Sequence, residues 1–220
     1  MDQAVIRAMQ ANAQAPQWSA SLFNIQKVAD GVYFAVAKPQ VFLNCNATIF
    51  ERSKDLLVVD SHSKPSAVVA LTGQIKREVT QKPVRYIVNS HFHWDHTQGS
   101  ASYKLHSPNV DIIASEATRR LLDENGVKRA EESYAKMAES LAGYREKLAK
   151  ANAPGEKAHW QRMIAESERY VAEMKNYRPD LPTVTFDKDL HMHDGKQELV
   201  LSFRGRGHTA GDIVVYSPSR

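Results

Sequence analysis

Ser90-His91-Phe92-His93-Trp94-Asp95-His96-Thr97-Gln98-Gly99 sets three histidines and an aspartate within six residues, directly after the apolar run Val84–Val88. The spacing is H-x-H-x-D-H. A chain that leaves a strand and turns sharply can point His91 and His93, two apart, the same way. Asp95 and His96 then come round on the next bend and face a neighbouring point. Imidazole nitrogen and carboxylate oxygen are ligands that zinc accepts at about 2.0–2.2 Å, and catalytic zinc sites keep one position for water. Two such ions roughly 3.5–4 Å apart can share that water, and this spacing suits a pair of ions better than one. Histidine is not rare in the chain, which has nine, and a lone H-x-H is ordinarily surface or satisfied core. Four ligand-type side chains at the end of a β-run have no other purpose in a turn, so the stretch reads as a metal loop.

Working outward, two further stretches matter: Leu56-Leu57-Val58-Val59-Asp60, an apolar run closed by an aspartate, and Gly207-His208-Thr209-Ala210-Gly211-Asp212. With His91-Phe92-His93-Trp94-Asp95-His96 they resemble the metallo-β-lactamase superfamily of metallo-hydrolases. The resemblance covers about residues 23–114 and 183–218. It implies an α/β layered fold, an αββα sandwich with the metals at one edge of its two sheets. The whole of 1–220 then forms a single domain with a helical insertion at about 115–178.

The bulk composition fits that frame. A chain of 220 residues is long enough for one domain with a sizeable core. A hydrophobic content of 42% and a charged content of 25% are ordinary for a soluble globular protein. No apolar run approaches the ~18–20 residues of a membrane span, so no membrane partner is expected. The net charge of +4 permits an acidic substrate without demanding one. Cys45 is the single cysteine, which rules out an intrachain disulfide and leaves the compartment open. It lies in a strand-like run and reads as packed rather than reactive. The N-terminus has no apolar signal-peptide core; Ala11-Asn12-Ala13 has the small-residue pattern of a cleavage site, consistent with an export signal already trimmed.

In chain order, residues 2–15 are expected to form a short helix stopped by Pro16. Runs at 23–28 and 32–36, joined by Asp30-Gly31, read as a hairpin. Strands follow at 43–50 and 55–60, the second apolar throughout, as for a strand buried on both faces. Lys64-Pro65 opens a helix to about Thr80 with Val68, Val69, Leu71, Ile75 and Val79 inward. Strands at 84–88 and 110–114 complete a layered α/β pattern. A helix over 115–125 is expected to stop at Gly126. Two antiparallel helices then carry an aromatic seam: Tyr134, Met137, Leu141, Tyr144 and Leu148 on one, and Trp160, Met163, Ser167, Tyr170, Met174 and Tyr177 on the other. Ala153-Pro154-Gly155 joins them. Ten Lys/Arg against eight Glu between residues 127 and 177 make the outer face mixed rather than a basic stripe. This hairpin reads equally as a lid or dimer arm over the metals and as an insertion packing its own seam. Strands return at 182–186, 189–193, 197–203 and 212–216, the middle two joined by Asp194-Gly195.

The resemblance assigns roles to residues. His208, whose preceding glycines let the backbone bend close to an ion, corresponds to the third histidine of the first metal site with His91 and His93. Asp95 and His96 correspond to the start of the second site, and Asp60 to an aspartate that steadies the ligands without touching metal. The cofactor implied is one or two Zn²⁺ ions, with iron or manganese as alternatives, since metal availability often decides. The reaction implied is hydrolysis of a small-molecule ester, thioester or amide (a lactam included) by metal-bound hydroxide, with Asp95 orienting the nucleophile. A phosphodiesterase or nuclease of the same superfamily is the alternative, but no long basic stripe favours nucleic acid. A diiron redox role fits less well, because His93 stands where such relatives carry a carboxylate. The family completes its second site with a bridging carboxylate and a final histidine beyond the point matching His208, whereas this chain ends at Arg220. The expectation is therefore a fold incomplete at its C-terminus, one metal at the three-histidine site, weak or absent activity, and association into homo-oligomers through unfinished sheets. His62 reads as packing rather than cleft-lining, His191 and His193 as a solvated strand face rather than holders of a stray metal, His106 and His159 as partnerless, Trp94 as packing the loop, and Arg204 and Arg206 as surface charge near the His208 loop rather than a hold on an anionic substrate.

Overall fold

The computed structural model describes residues 22–38, 45–195 and 197–218. The helix expected over 2–15 lies outside them. Strands β1 (Phe23–Ala29), β2 (Val32–Ala37), β3 (Ala47–Glu51), β4 (Leu56–Val59), β5 (Val84–Val88), β6 (Asp111–Ser115) and β7 (Val184–Phe186) form a seven-stranded sheet in that order. Pairing is antiparallel from β1 to β4 and parallel from β4 to β7. The parallel half needs crossovers. They are α1 (Pro65–Glu78) between β4 and β5; α2 (Trp94–Thr97) and α3 (Ser100–His106) between β5 and β6; and the long pair α4 (Glu116–Lys150) and α5 (Pro154–Met174) between β6 and β7. A second sheet of three antiparallel strands, in the order β10-β9-β8, is built from β8 (Asp189–Asp194), β9 (Gln197–Phe203) and β10 (Ile213–Tyr216).

The all-apolar β4 is explained by two cores, one on each face of the large sheet. Leu56 and Val58 face α1 and α3, where they meet Val68, Leu71, Ile75 and the fully buried Tyr103. Leu57 turns the other way and packs between the sheets with Val88, Ile113, Leu199, Leu201 and Ile213. This alternation is the period-two geometry of a strand. A Leu57→Ala change would open a cavity between the layers at a cost of about 2–5 kcal/mol. The inner face of α1 departs from expectation in one detail, since Val69 is half-buried while Gln74 is buried. Gln74 holds the edge of the sheet, accepting from Phe23 N–H at 3.2 Å and donating to Phe23 C=O at 2.9 Å.

The middle of the chain corrects the sequence reading twice. Gly126 does not stop a helix: α4 runs unbroken through it for 35 residues. A Cβ there would lie 2.9 Å from Pro179 Cγ, so glycine serves the close approach of the segment leading to β7. The helix α3 was not anticipated at all. The seam of the hairpin forms as expected, with Tyr144 and Trp160 rings stacked 5.6 Å apart and Leu141, Ser167, Tyr170 and Met174 buried. Pro154 opens α5 at its first turn, where a missing N–H is harmless. Among the described residues, no helix is long and apolar enough to cross a membrane.

Candidate metal centre

The loop after β5 hands its ligands out in two directions. The chain bends at Ser90, His91 and Phe92 just past the end of β5, His93 is extended (φ −65°, ψ 150°), and the chain then closes one helical turn, α2, holding Asp95 and His96. Around it the glycine at 99 is forced by space, because a Cβ would lie 1.8 Å from Ser61 C=O and 2.6 Å from Val68 Cγ2. Ser61 N–H donates to His96 C=O at 3.0 Å and Gly99 N–H to His62 C=O at 3.0 Å, so the metal loop is stitched to the turn after β4.

His208 arrives from the other sheet, in the loop between β9 and β10. Four hydrogen bonds fix that loop. Asp212 accepts from Thr209 N–H. Ser115 Oγ and Thr118 Oγ1, at the start of α4, donate to Gly211 C=O at 2.7 and 3.0 Å. Ile213 N–H donates to Ser90 C=O at 3.0 Å, tying the two ligand-bearing loops together. As a result one ligand atom each from His91, His93 and His208 falls within 4.8 Å of the others. His208 Nε2 and His93 Nδ1 are 3.1 Å apart, close to the roughly 3.4 Å between two nitrogens on one tetrahedral zinc.

Beside this trio lies a second constellation of Asp60, Asp95 and His96. Asp60, at a left-handed φ of 69°, accepts from Ser90 N–H at 2.8 Å, Ser90 Oγ at 2.9 Å and His96 Nδ1 at 2.7 Å. A carboxylate accepts only, so His96 donates Nδ1–H to Asp60 and Nε2–H to Asp95, whose Oδ2 is 3.3 Å away; as a metal ligand it would give up the Nε2 proton. Ser90 Oγ is also 3.0 Å from His91 Nδ1, so Asp60 reaches both histidines, one directly and one through a hydroxyl. The described structure thus brings His91, His93 and His208 together and sets Asp95 and His96 next to them, with Asp60 behind.

The electrostatics fit a cation. Burial, then the neighbouring His96, pushes His91 down to about 4. Burial and His208 lower His93 as well, so both rings are neutral at pH 7 with lone pairs free. Burial opposes charge on His96, but hydrogen bonds to Asp60 and Asp95 outweigh it and raise the ring to about 9. Burial also works against ionised Asp95, yet the bond from His96 leaves it below the usual carboxylate range. Neutral imidazoles on one side and a paired carboxylate on the other make a donor set that takes a divalent ion.

A family model described as the metallo-beta-lactamase superfamily matches residues 41–220. The chain belongs to the metallo-beta-lactamase superfamily. This superfamily consists mostly of hydrolytic metalloenzymes and usually binds metal ions. Among solved structures, the chain is similar to the metallo-beta-lactamase from Pontibacter korlensis, with 20% identity and a TM-score of 0.57. That likeness covers 90% of this chain and 67% of the other, and it is a likeness of fold.

Other sequence-derived candidates separate cleanly. His62 is fully buried among the described residues, its Nδ1 3.3 Å from Cys45 Sγ. Burial holds the Cys45 thiol far above its usual range, so Cys45 is inert packing. Trp94 packs edge-on against Tyr170 with ring centres 5.9 Å apart. Arg204 Nη2 lies 3.5 Å from Asp189 Oδ1.

Sequence reasoning missed the residues that the helical pair brings to the superfamily's metal edge. Arg129 stacks over Phe92 at 4.6 Å from the ring centre, and its charge helps depress His93. Tyr170 donates to Gln98 Oε1 at 3.1 Å. Lys64, its side chain 2% exposed, pairs with Glu166 at 2.6 Å, and Glu173 accepts from Ser66 N–H at 2.8 Å. Arg129 and Tyr170 stand far from the metal loop in sequence, and only the helical periodicity of the seam marked Tyr170. Ser90 and Asp212, by contrast, stood inside the quoted motifs.

Proposed function

We propose that this protein is a zinc-dependent hydrolase that cleaves an ester, thioester or amide, lactams included, in a small-molecule substrate. The observation that supports this reading above the rest is the meeting of His91 and His93 from one sheet with His208 from the other. Beside them, Asp95 and His96 form a paired carboxylate and imidazole. In this proposal His91, His93 and His208 hold a first zinc and Asp95 and His96 contribute to a second. When bound, zinc supplies a Lewis acid and water acidified towards a pKa of ~7. Asp95 has the lowered pKa of an acceptor that stays ionised at neutral pH, suited to orienting an attacking water. Asp60 and Ser90 hold the imidazoles in register, and Arg129 sets a positive charge near His93 that an anionic group of the substrate could use.

The test is metal content and turnover on one preparation. Purified protein loaded with zinc is assayed against a chromogenic lactam, a thioester and a bis-aryl phosphodiester, alongside His208→Ala. Carbonyl-ester, thioester or lactam turnover that falls at least a hundredfold in the variant, with loss of bound zinc, supports the reading. Turnover confined to the phosphodiester, or activity indifferent to His208, overturns it.

A further inference from the structure

The outer face of the small sheet carries a second cluster of metal-ligand side chains, away from the loops that hold His91, His93 and His208. Along β8 the side chains alternate. Leu190 and Met192 turn inward against the core between the sheets, while His191 and His193 stand on the solvent side. The antiparallel register sets Glu198 of β9 directly opposite His193, and Val200 opposite His191. Glu198 leans diagonally across the pair and places Oε1 2.6 Å from His191 Nδ1. The two imidazoles lie nearly parallel, 20° apart with centres separated by 6.2 Å. One ligand atom from each of the three residues falls within 4.8 Å of the others.

We propose that His191, His193 and Glu198 form a separate binding site for a divalent first-row transition ion, zinc foremost. Two imidazoles and one carboxylate are a donor set that zinc uses in sites with an open position for water. Harder ions such as magnesium and calcium call for oxygen ligands instead, which this face does not concentrate. The backbone is already in place, since a two-strand ladder closed at Asp194-Gly195 fixes all three Cβ positions. Closing the ligand atoms onto one ion takes side-chain rotation of about an ångström, against a spacing of roughly 3.4 Å between ligands on tetrahedral zinc. The His191–Glu198 contact presets two of the three. Across metals, the same site should favour nickel and copper over cobalt, following the usual order for nitrogen and oxygen ligands.

The site is tested by calorimetric titration of metal-free protein with Zn²⁺, then Ni²⁺, in four forms: unmodified, His93→Ala/His208→Ala, His191→Ala/His193→Ala, and Glu198→Gln. No activity is read, so the outcome is independent of the hydrolase proposal. The expected result is that His93→Ala/His208→Ala still takes up one ion per chain. His191→Ala/His193→Ala should take up one ion fewer than unmodified protein, or bind that ion at least tenfold more weakly. Glu198→Gln should weaken the same event while leaving the other. Both strand variants are exposed changes on an ordered ladder, and unaltered circular dichroism confirms that they fold. Full stoichiometry and affinity in His191→Ala/His193→Ala would overturn the site and leave His191–Glu198 as a surface hydrogen bond.

Discussion

Asp60 answers three donors with two oxygens, and that makes it the residue whose chemistry is hardest to replace. Asparagine has the same shape but presents an amide N–H₂ on one side, so it must face either His96 Nδ1–H or the Ser90 donors with a donor of its own. Outer partners of this kind are typically worth 10–100-fold in metal affinity. Asp60→Asn should therefore lose about that much zinc affinity in a competition titration with a chromogenic chelator, with the fold intact by circular dichroism; unchanged affinity would mean the clamp does not tune the ligands. Two residues on, His62 makes a different prediction. Burial drives it from the ordinary 6.5 down to about 4, against the weaker pull of Asp60. A depressed folded value means that stability is fully present above pH 6.5 and is lost as pH falls through about 4. The gap is worth on the order of 3 kcal/mol at 1.36 kcal/mol per pH unit. Urea denaturation of metal-free protein at pH 7, 5.5 and 4 should show His62→Gln losing about that much less than the unmodified chain over the window. His91 titrates over the same range in both proteins and cancels in the comparison. A constant difference across the three pH values would sink the assignment.

Elements bring these residues together, and they differ in how visibly the sequence announced them. The strand β4, the strand β5 and the helix α1 were legible because hydrophobic periodicity and a Pro at the first helical turn are local signals. So was the candidate site, since H-x-H-x-D-H and the Gly-His-Thr loop are contiguous. What stayed hidden depends on distant partners. Gly126 looked like a stop because glycine costs about 1 kcal/mol in a helix interior, and nothing local shows that Pro179 presses against it. Lys64 read only as the residue that opens α1 with Pro65, and nothing local shows that its partner Glu166 stands on α5. The same logic gives a paired test within α4 and its neighbour. At Gly211 a Cβ would lie 2.4 Å from Thr118 Oγ1 and 2.7 Å from Thr118 N, so Gly211→Ala must push the His208 loop off the start of α4. Overpacking of that kind costs about 1–3 kcal/mol, and zinc affinity should drop with it. Gly143, in the same long helix, has nothing within 4 Å of its would-be Cβ, so Gly143→Ala should stabilise by up to about 1 kcal/mol. Thermal melts of the two variants should move in opposite directions; a neutral Gly211→Ala would show that the loop is not anchored there.

At the scale of the molecule, the candidate centre spans a seam. His91 and His93 leave the end of β5 in the seven-stranded sheet, and His208 leaves β9 in the three-stranded one. Between the sheets lie an apolar core and, at the metal edge, a backbone hydrogen bond from Ile213 to Ser90 and the bonds from Ser115 and Thr118 to Gly211. An ion held by all three histidines would therefore add a tie between two layers that already meet through packing and through hydrogen bonds, those from Ser53 to Asp194 among them. An ion that binds the folded chain alone stabilises it by about 2.7 kcal/mol at a hundred times its dissociation constant. Each kcal/mol moves the melting temperature of a chain this size by roughly 2–4 °C, so saturating zinc should raise it by about 5–10 °C. The close spacing of His91, His93, Asp95 and His96 lets the unfolded chain retain some zinc, which pulls the shift toward the lower figure. His208→Ala removes only the contribution of the second sheet and leaves that local cluster untouched. If the ion acts as a tie between layers, the zinc-induced shift in His208→Ala should fall to a few degrees or less, while His191→Ala/His193→Ala keeps most of it. An equal shift in His208→Ala and unmodified protein would place the stabilising ion wholly on the loop after β5, and the two sheets would then meet at this edge without it.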